Sequence, residues 1–169
     1  MGSRRRGFTL MEMLVVISII TILSGLVLGA MAIVRQRSKE HATLLTLQLL
    51  DAALQRYEQD YQDYPPSEGD QEGIRGSENL LRMLLSEKKE GPYIRSNDVR
   101  MCDANRNGEL EIADAWNKPI RYLHHRDYHG TSPNKHTYRL ISGGPNGLYE
   151  EGAKGSDDIV NWNKARPDQ

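Results

Sequence analysis

Residues 4–34 read RRRGFTLMEMLVVISIITILSGLVLGAMAIV, and this stretch decides the architecture of the chain. From Phe8 to Val34 the one ionisable residue is Glu12, in a run long enough as a helix to cross the hydrocarbon core of a bilayer. That is the pattern of a membrane segment. A removable secretory signal has a shorter apolar core, about 7–15 residues, with a small-residue cleavage site after it. Here the only processing-like feature, Gly7 followed by Phe8, lies before the apolar run, so the run survives any cut there. Arg4, Arg5 and Arg6, with no further basic residue until Arg35, hold the N-terminus in the cytoplasm and send the bulk of the chain outward.

Glu12 stands out, because a carboxylate in hydrocarbon costs about 2.5–3.5 kcal/mol even on insertion scales. Either it lies near the cytoplasmic interface, where charge is cheap, or it has a partner. The stretch RRRGFTLMEMLVVISIITIL resembles the class III signal of type IV pilins and type II secretion pseudopilins, which a prepilin peptidase cuts after the glycine. The resemblance implies that Gly7 ends the leader, that Phe8 becomes a methylated N-terminus, and that Glu12 pairs with the N-terminal amine of a neighbouring subunit during assembly. Pairing would offset the burial cost, since a paired buried charge is tolerated where a lone one is not.

The implied organisation is a leader over residues 1–7, a transmembrane and assembly helix over 8–34, a periplasmic half of that helix over 35–62, and a globular domain over 63–169. The expected fold is α+β and pilin-like: a long N-terminal helix packed on a small antiparallel sheet, with a loop-rich C-terminal region. The 169 residues leave room for one globular domain beyond the helix. A net charge of −1 and a sequence pI near 6.5 provide no basic surface of the kind a dedicated nucleic-acid binder needs. Cys102 is the single cysteine, so no intrachain disulfide is available to an extracytoplasmic domain. Many type IV pilins close their C-terminal region with a disulfide, and its lack leans toward the pseudopilin side of the family.

Residues 35–61 contain no Pro or Gly and keep Leu44, Leu47, Leu50, Leu54, Tyr57 and Tyr61 near helical spacing, the stripe of a helix packed on a core. Pro65, Pro66, Gly69, Gly73 and Gly76 then mark a loop, and Glu78 to Lys88 reads as a second helix capped by Ser77 and ended by Gly91-Pro92. Tyr64-Pro65 resembles the tyrosine-proline that follows the long helix in major pseudopilins.

Residues 103–114, DANRNGELEIAD, place oxygen-bearing side chains at the first, third, fifth, ninth and twelfth positions and glycine at the sixth. Those are the ligand and turn positions of a calcium loop. Asp103, Asn105, Asn107, Glu111 and Asp114 would give side chains and Glu109 its carbonyl, in a pattern that resembles dockerin-type loops. The alternative is an Asn-Gly turn in a polar loop. Asp114 has a second claim on it, because Asp114-Ala-Trp-Asn-Lys-Pro resembles the aspartate-proline-tryptophan-glycine-asparagine-proline element of major pseudopilins. Trp116 is expected as a core anchor, and Ile120–Leu123 as a strand pairing with Tyr138–Ile141. His124, His125, His129 and His136 match no standard zinc spacing and read as exposed loop histidines.

Residues 142–159, SGGPNGLYEEGAKGSDDI, resemble the C-terminal calcium loop of major pseudopilins, with Gly143, Asn146, Asp157 and Asp158 at the matching places. Asn146 stands where an aspartate is usual, which removes one formal charge. A flexible glycine loop is the alternative. Counting both acidic loops, the expectation is one calcium ion or two, closing loops that no disulfide closes.

No Gly-rich phosphate loop, nucleophile elbow or zinc-protease helix is present, which argues against an enzyme. The resemblance implies a structural subunit of a type II secretion pseudopilus. It would polymerise with copies of itself and with minor pseudopilins, on an inner-membrane assembly platform driven by a cytoplasmic ATPase, to push folded cargo outward. The alternatives are a type IV pilin used for adhesion, motility or DNA uptake, and a stand-alone membrane-anchored calcium-binding domain.

Overall fold

The computed structural model describes residues 9–70, 72–128, 134 and 136–162, with residues 26–30 described in their backbone only. Helix α1 (Leu10–Tyr61) and helix α2 (Ile74–Leu84) are followed by strands β1 (Arg100–Cys102), β2 (Glu111–Ala113), β3 (Arg121–His124), β4 (Tyr138–Ser142) and β5 (Ile159–Val160). The chain divides into two compact units, residues up to Ser38 and residues from Lys39 onward. The architecture is α+β and pilin-like, as the sequence implies.

In the first unit, every described side chain of residues 9–25 is exposed, including Leu10, Met11, Leu14, Ile17, Ile20 and Ile22. A helix apolar on all sides finds no core within its own unit and must be covered by lipid or by other helices. Among the described residues no helix is long and apolar enough to cross a membrane. Residues 10–25 fall short of the roughly 20 residues that a span takes, and the side chains of 26–30 lie outside the description.

In the second unit, residues 39–61 of α1 carry a buried stripe at Thr43, Leu47, Leu50, Leu54 and Tyr57, the alternating spacing of three and four that keeps one face inward. The stripe starts at Thr43 and not at Leu44, which is exposed, because the Thr43 hydroxyl accepts the Ala115 N–H at 3.2 Å. Each buried leucine contributes about 1.5–3 kcal/mol.

Helix α2 begins four residues before the expected Glu78, and Ser77 is not its cap. The chain enters through Gly73 at a φ of 76° with no side-chain cap there. Asp70 takes the capping role, accepting the N–H groups of Glu72 at 3.1 Å and Arg75 at 2.7 Å. Ser77 is fully buried one turn in, where its hydroxyl accepts the Ile112 N–H at 3.2 Å. The helix closes on β3 through Gly76, since a Cβ there would sit 2.2 Å from the Tyr122 carbonyl oxygen. It ends at Leu84, whose carbonyl accepts the N–H groups of Tyr93 and Ile94.

Strands β1 and β2 form an antiparallel hairpin pairing Arg100 with Ala113 and Cys102 with Glu111, two strands the sequence reading did not anticipate. A second antiparallel sheet has the order β3-β4-β5, with Arg121 opposite Ile141, His124 opposite Tyr138 and Ser142 opposite Ile159. The expected pairing of Ile120–Leu123 with Tyr138–Ile141 is present, shifted at its ends by one residue. Tyr122, Leu47, Leu50, Leu54, Leu80, Leu84, Ile112, Ile120 and Leu140 are the centre of the core. Trp116 is only half-buried and is no core anchor; tyrosines 57, 93, 122 and 138 fill that role.

Candidate functional site

Three regions carry chemistry: the start of α1, the β1–β2 hairpin, and the connection from β4 to β5. Gly7 and Phe8 lie outside the described residues. Glu12 is exposed in the first turn of α1, where its Oε2 accepts the Thr9 N–H at 2.8 Å and the Thr9 hydroxyl at 2.9 Å. Thr9 Oγ1 in turn accepts the Glu12 N–H at 3.2 Å. This is a reciprocal capping box, satisfying otherwise orphaned N–H groups at the N-terminus of an apolar helix.

The loop of the β1–β2 hairpin holds Asp103, Asn105, Asn107 and Glu109, and Glu111 is the first residue of β2. Asp103 accepts the N–H groups of Asn107 at 3.1 Å and Gly108 at 3.2 Å. The side-chain amides of Asn105 and Asn107 both donate to Glu78 Oε1, at 2.7 and 2.8 Å, so α2 contributes a carboxylate that the sequence reading missed. Glu111 is fully buried, with Oε2 accepting the Ala104 N–H at 2.8 Å and Oε1 without a hydrogen-bond partner. Burial pushes its carboxyl above the ordinary range, and the charges of Glu78 and Asp103 push the same way against the Ala104 N–H. Burial, with Glu111 next to it, also pushes the Cys102 thiol up to about 11, which leaves the lone cysteine a poor nucleophile.

Asp114 is drawn to the second of its two claims. Its Oδ1 accepts the N–H groups of Trp116 at 2.8 Å and Lys118 at 2.9 Å, and its Oδ2 accepts the Ser142 hydroxyl at 2.7 Å. Both oxygens are thus engaged in the turn that leads from β2 to β3, away from the company of the Asp103 loop.

The β4–β5 connection folds around two aspartates. Asp157 Oδ2 accepts the Asn146 N–H at 3.1 Å, and Asp158 Oδ2 accepts the N–H groups of Glu150 and Gly152, each at 2.9 Å. Asp157 Oδ1 and Asp158 Oδ1 are buried and have no hydrogen-bond partner. Gly143 is buried, and its carbonyl accepts the Gly147 N–H at 2.9 Å. Asn146 Oδ1 closes a local turn on the Leu148 N–H at 2.6 Å. An orphaned buried carboxylate oxygen is costly, about 1–3 kcal/mol or more for a charged group, so two of them in one loop fit a hard cation that accepts oxygen ligands.

The histidines do not all behave as exposed loop residues. His124 is buried on β3, His125 is half-buried, His136 is exposed, and His129 lies outside the described residues. Among the described residues, the ligand-type atoms of Asp63, His124 and His125 lie within 4.8 Å of one another. The Arg126 N–H occupies His124 Nδ1 at 3.3 Å, which leaves the Nε2 proton to donate to Asp63 Oδ1 at 3.2 Å. Arg126 holds the other Asp63 oxygen at 2.7 Å. With both ring nitrogens of His124 engaged, the group is a hydrogen-bonded and ionic tie between the end of α1 and β3, beside a cleft of about 380 Å³ lined by Tyr57, Tyr61 and Tyr64.

Glu78, Asp70 and Asp63 were not legible as site residues, because their partners lie across turns and loops and no local pattern joins them. Comparison with known proteins bears on the remaining residues. Residues 2–28 match the family model described as the prokaryotic N-terminal methylation motif. The chain is 31% identical to type II secretion system core protein G of Escherichia coli (strain K12), over 94% of this chain and 92% of that protein. It is 28% identical to core protein G of Klebsiella pneumoniae, over 94% and 95% of the two chains, and 26% identical to that of Dickeya chrysanthemi, over 96% and 90%. With an N-terminal methylation motif on an exposed apolar helix and full-length similarity of this extent, the chain belongs to the type II secretion core protein G family of pilin-like proteins.

Proposed function

We propose that this chain is a structural subunit of a type II secretion pseudopilus, cleaved after Gly7 by a prepilin peptidase, methylated at Phe8 and polymerised through α1. The observation that carries the reading is Glu12, the one acid in the apolar stretch 9–25, whose side chains are all exposed. Before assembly the helix lies in the inner membrane with Arg4, Arg5 and Arg6 on the cytoplasmic side and the second unit in the periplasm. The Thr9 cap keeps Glu12 satisfied in the lone subunit. On assembly the new amine of a neighbouring Phe8 pairs with it, and the apolar faces of successive helices cover one another. The work is mechanical: subunits added at the membrane, with minor pseudopilins, an assembly platform and its cytoplasmic ATPase, move cargo outward.

The β4–β5 connection is the calcium site of this reading, held by Asp157 and Asp158 with Gly143 and Asn146 in the same loop. The two orphaned carboxylate oxygens support it. A bound calcium neutralises the paired acids and pins a long loop that no disulfide restrains.

The test is Glu12→Ala in a reconstituted secretion system. The expected result is normal membrane insertion and leader cleavage with loss of pseudopilus filaments. Filaments formed at the wild-type level would overturn the reading.

A further inference from the structure

We propose that the β1–β2 hairpin and α2 together build a second calcium site, with Glu78 of α2 completing a ligand set made of Asp103, Asn105, Asn107, the Glu109 carbonyl and Glu111. Glu111 carries the argument. It is fully buried, its Oε2 is fixed on the Ala104 N–H at the start of the loop, and its Oε1 has no partner. A buried carboxylate oxygen at the ninth position of a calcium-type spacing has the place and the free lone pairs of a ligand.

Glu78 is the independent second observation. It is also buried, and the loop is drawn onto its Oε1 by the amides of Asn105 and Asn107. Two buried carboxylates, Glu78 on α2 and Glu111 at the start of β2, thus flank the loop that carries Asp103. The ion pairs among the described residues involve Glu68, Asp63 and Glu151, and none involves Glu78, Asp103 or Glu111. Buried negative charge without a basic partner calls for a cation from solution. The Asn105 and Asn107 side-chain oxygens accept the N–H groups of Asn107 at 3.1 Å and Glu109 at 2.7 Å inside the loop, and each keeps a second lone pair for an ion.

The chemistry selects calcium. All six groups offer hard oxygen, and four of them sit on an exposed loop able to adjust to an irregular shell, whereas magnesium demands a tight octahedron and zinc prefers nitrogen and sulfur. Asp114 is left out, because it lies beyond β2 in the turn toward β3, where it holds the Trp116 and Lys118 N–H groups and the Ser142 hydroxyl; the two N–H groups that Asp103 accepts come from the loop itself and leave each oxygen a lone pair for an ion. An ion here joins α2 to β1–β2 and is separate in position from the β4–β5 loop.

The experiment is isothermal titration of the full chain in detergent with calcium chloride and, separately, magnesium chloride, on wild type, Asp103→Asn, Glu78→Gln and Asp157→Asn, with helical circular dichroism as the folding control. The expected result is two calcium equivalents for wild type. Asp103→Asn removes one, and Glu78→Gln, which can still accept both asparagine amides, weakens one site by at least about tenfold. Asp157→Asn leaves the hairpin site intact. Asp103 is exposed, so its variant tests binding without threatening the fold. If wild type binds a single equivalent that Asp103→Asn abolishes and Asp157→Asn retains, the hairpin site stands and the β4–β5 site fails. Unchanged stoichiometry and affinity in both Asp103→Asn and Glu78→Gln overturns the proposal, and so does magnesium binding as tightly as calcium at this site.

Discussion

Ser142 donates its hydroxyl hydrogen to Asp114 Oδ2 at 2.7 Å, and this bond ties the Asp114–Lys118 turn to the origin of the β4–β5 connection. The same hydroxyl oxygen accepts the Gly144 N–H at 3.2 Å. A turn that links two sheets and a loop that carries two orphaned aspartate oxygens are thereby one hydrogen-bonded structure. Replacing Ser142 by Ala leaves a buried carboxylate oxygen without its donor and is expected to cost about 1–3 kcal/mol. Asp114→Ala leaves three donors without their acceptor and should cost more than about 3 kcal/mol. Denaturant unfolding of both variants beside wild type checks the order.

Gly144 allows the chain to pass Asp157. Its φ is 57°, and a Cβ there would come within 2.2 Å of the Asp157 carbonyl oxygen. Gly144→Ala should therefore destabilise by more than about 2 kcal/mol, combining left-handed strain with a backbone clash. Because the clash falls on Asp157, calcium affinity is expected to drop as well. A calcium titration monitored by thermal unfolding reads both effects.

Calcium is expected to raise the unfolding midpoint of the wild-type chain and magnesium to leave it nearly unchanged. A ligand that binds only the folded state adds about 2.7 kcal/mol at a free concentration of one hundred times its dissociation constant. Asp158→Asn should remove the part of this gain that belongs to the β4–β5 loop, since Asp158 is buried with one oxygen unpartnered. An equal response of wild type and Asp158→Asn would exclude that loop.

Acid should loosen the tie between the end of α1 and β3. Burial holds His124 below its ordinary value of 6.5, and the neighbouring charges of His125 and Arg126 act the same way, outweighing the bond to Asp63. For Asp63 burial pushes upward, but hydrogen bonds from His124 and the Tyr64 N–H, with the Arg126 charge, hold it below 3.8. Both folded values are depressed, so both contributions are present at neutral pH and are lost as pH falls. The histidine part begins to go below about 6.5 and the aspartate part below about 3.8. Thermal midpoints of wild type and His124→Gln against pH test this: the loss between pH 6.5 and the acidic side of the histidine transition should be smaller in the variant.

The sequence alone determined those features that a short window encodes. An unbroken apolar run with one acid, preceded by three arginines, determined the exposed apolar start of α1, because a helix apolar on all sides admits few environments. Spacing of three and four over Leu47–Tyr57 determined the packed face of α1, and two short runs rich in β-branched and aromatic residues determined the β3–β4 pair. The tertiary structure decided what depends on distant backbone meeting backbone. Gly73 and the Asp70 cap start α2 early, Gly76 lets it approach the Tyr122 carbonyl, and the packed helix buries Ser77 on the Ile112 N–H and carries Glu78 to the hairpin amides 27 and 29 residues away. His124 became buried, and Trp116 half-exposed, for the same kind of reason: which neighbour covers a side chain is set by how the elements pack, and no local periodicity specifies that.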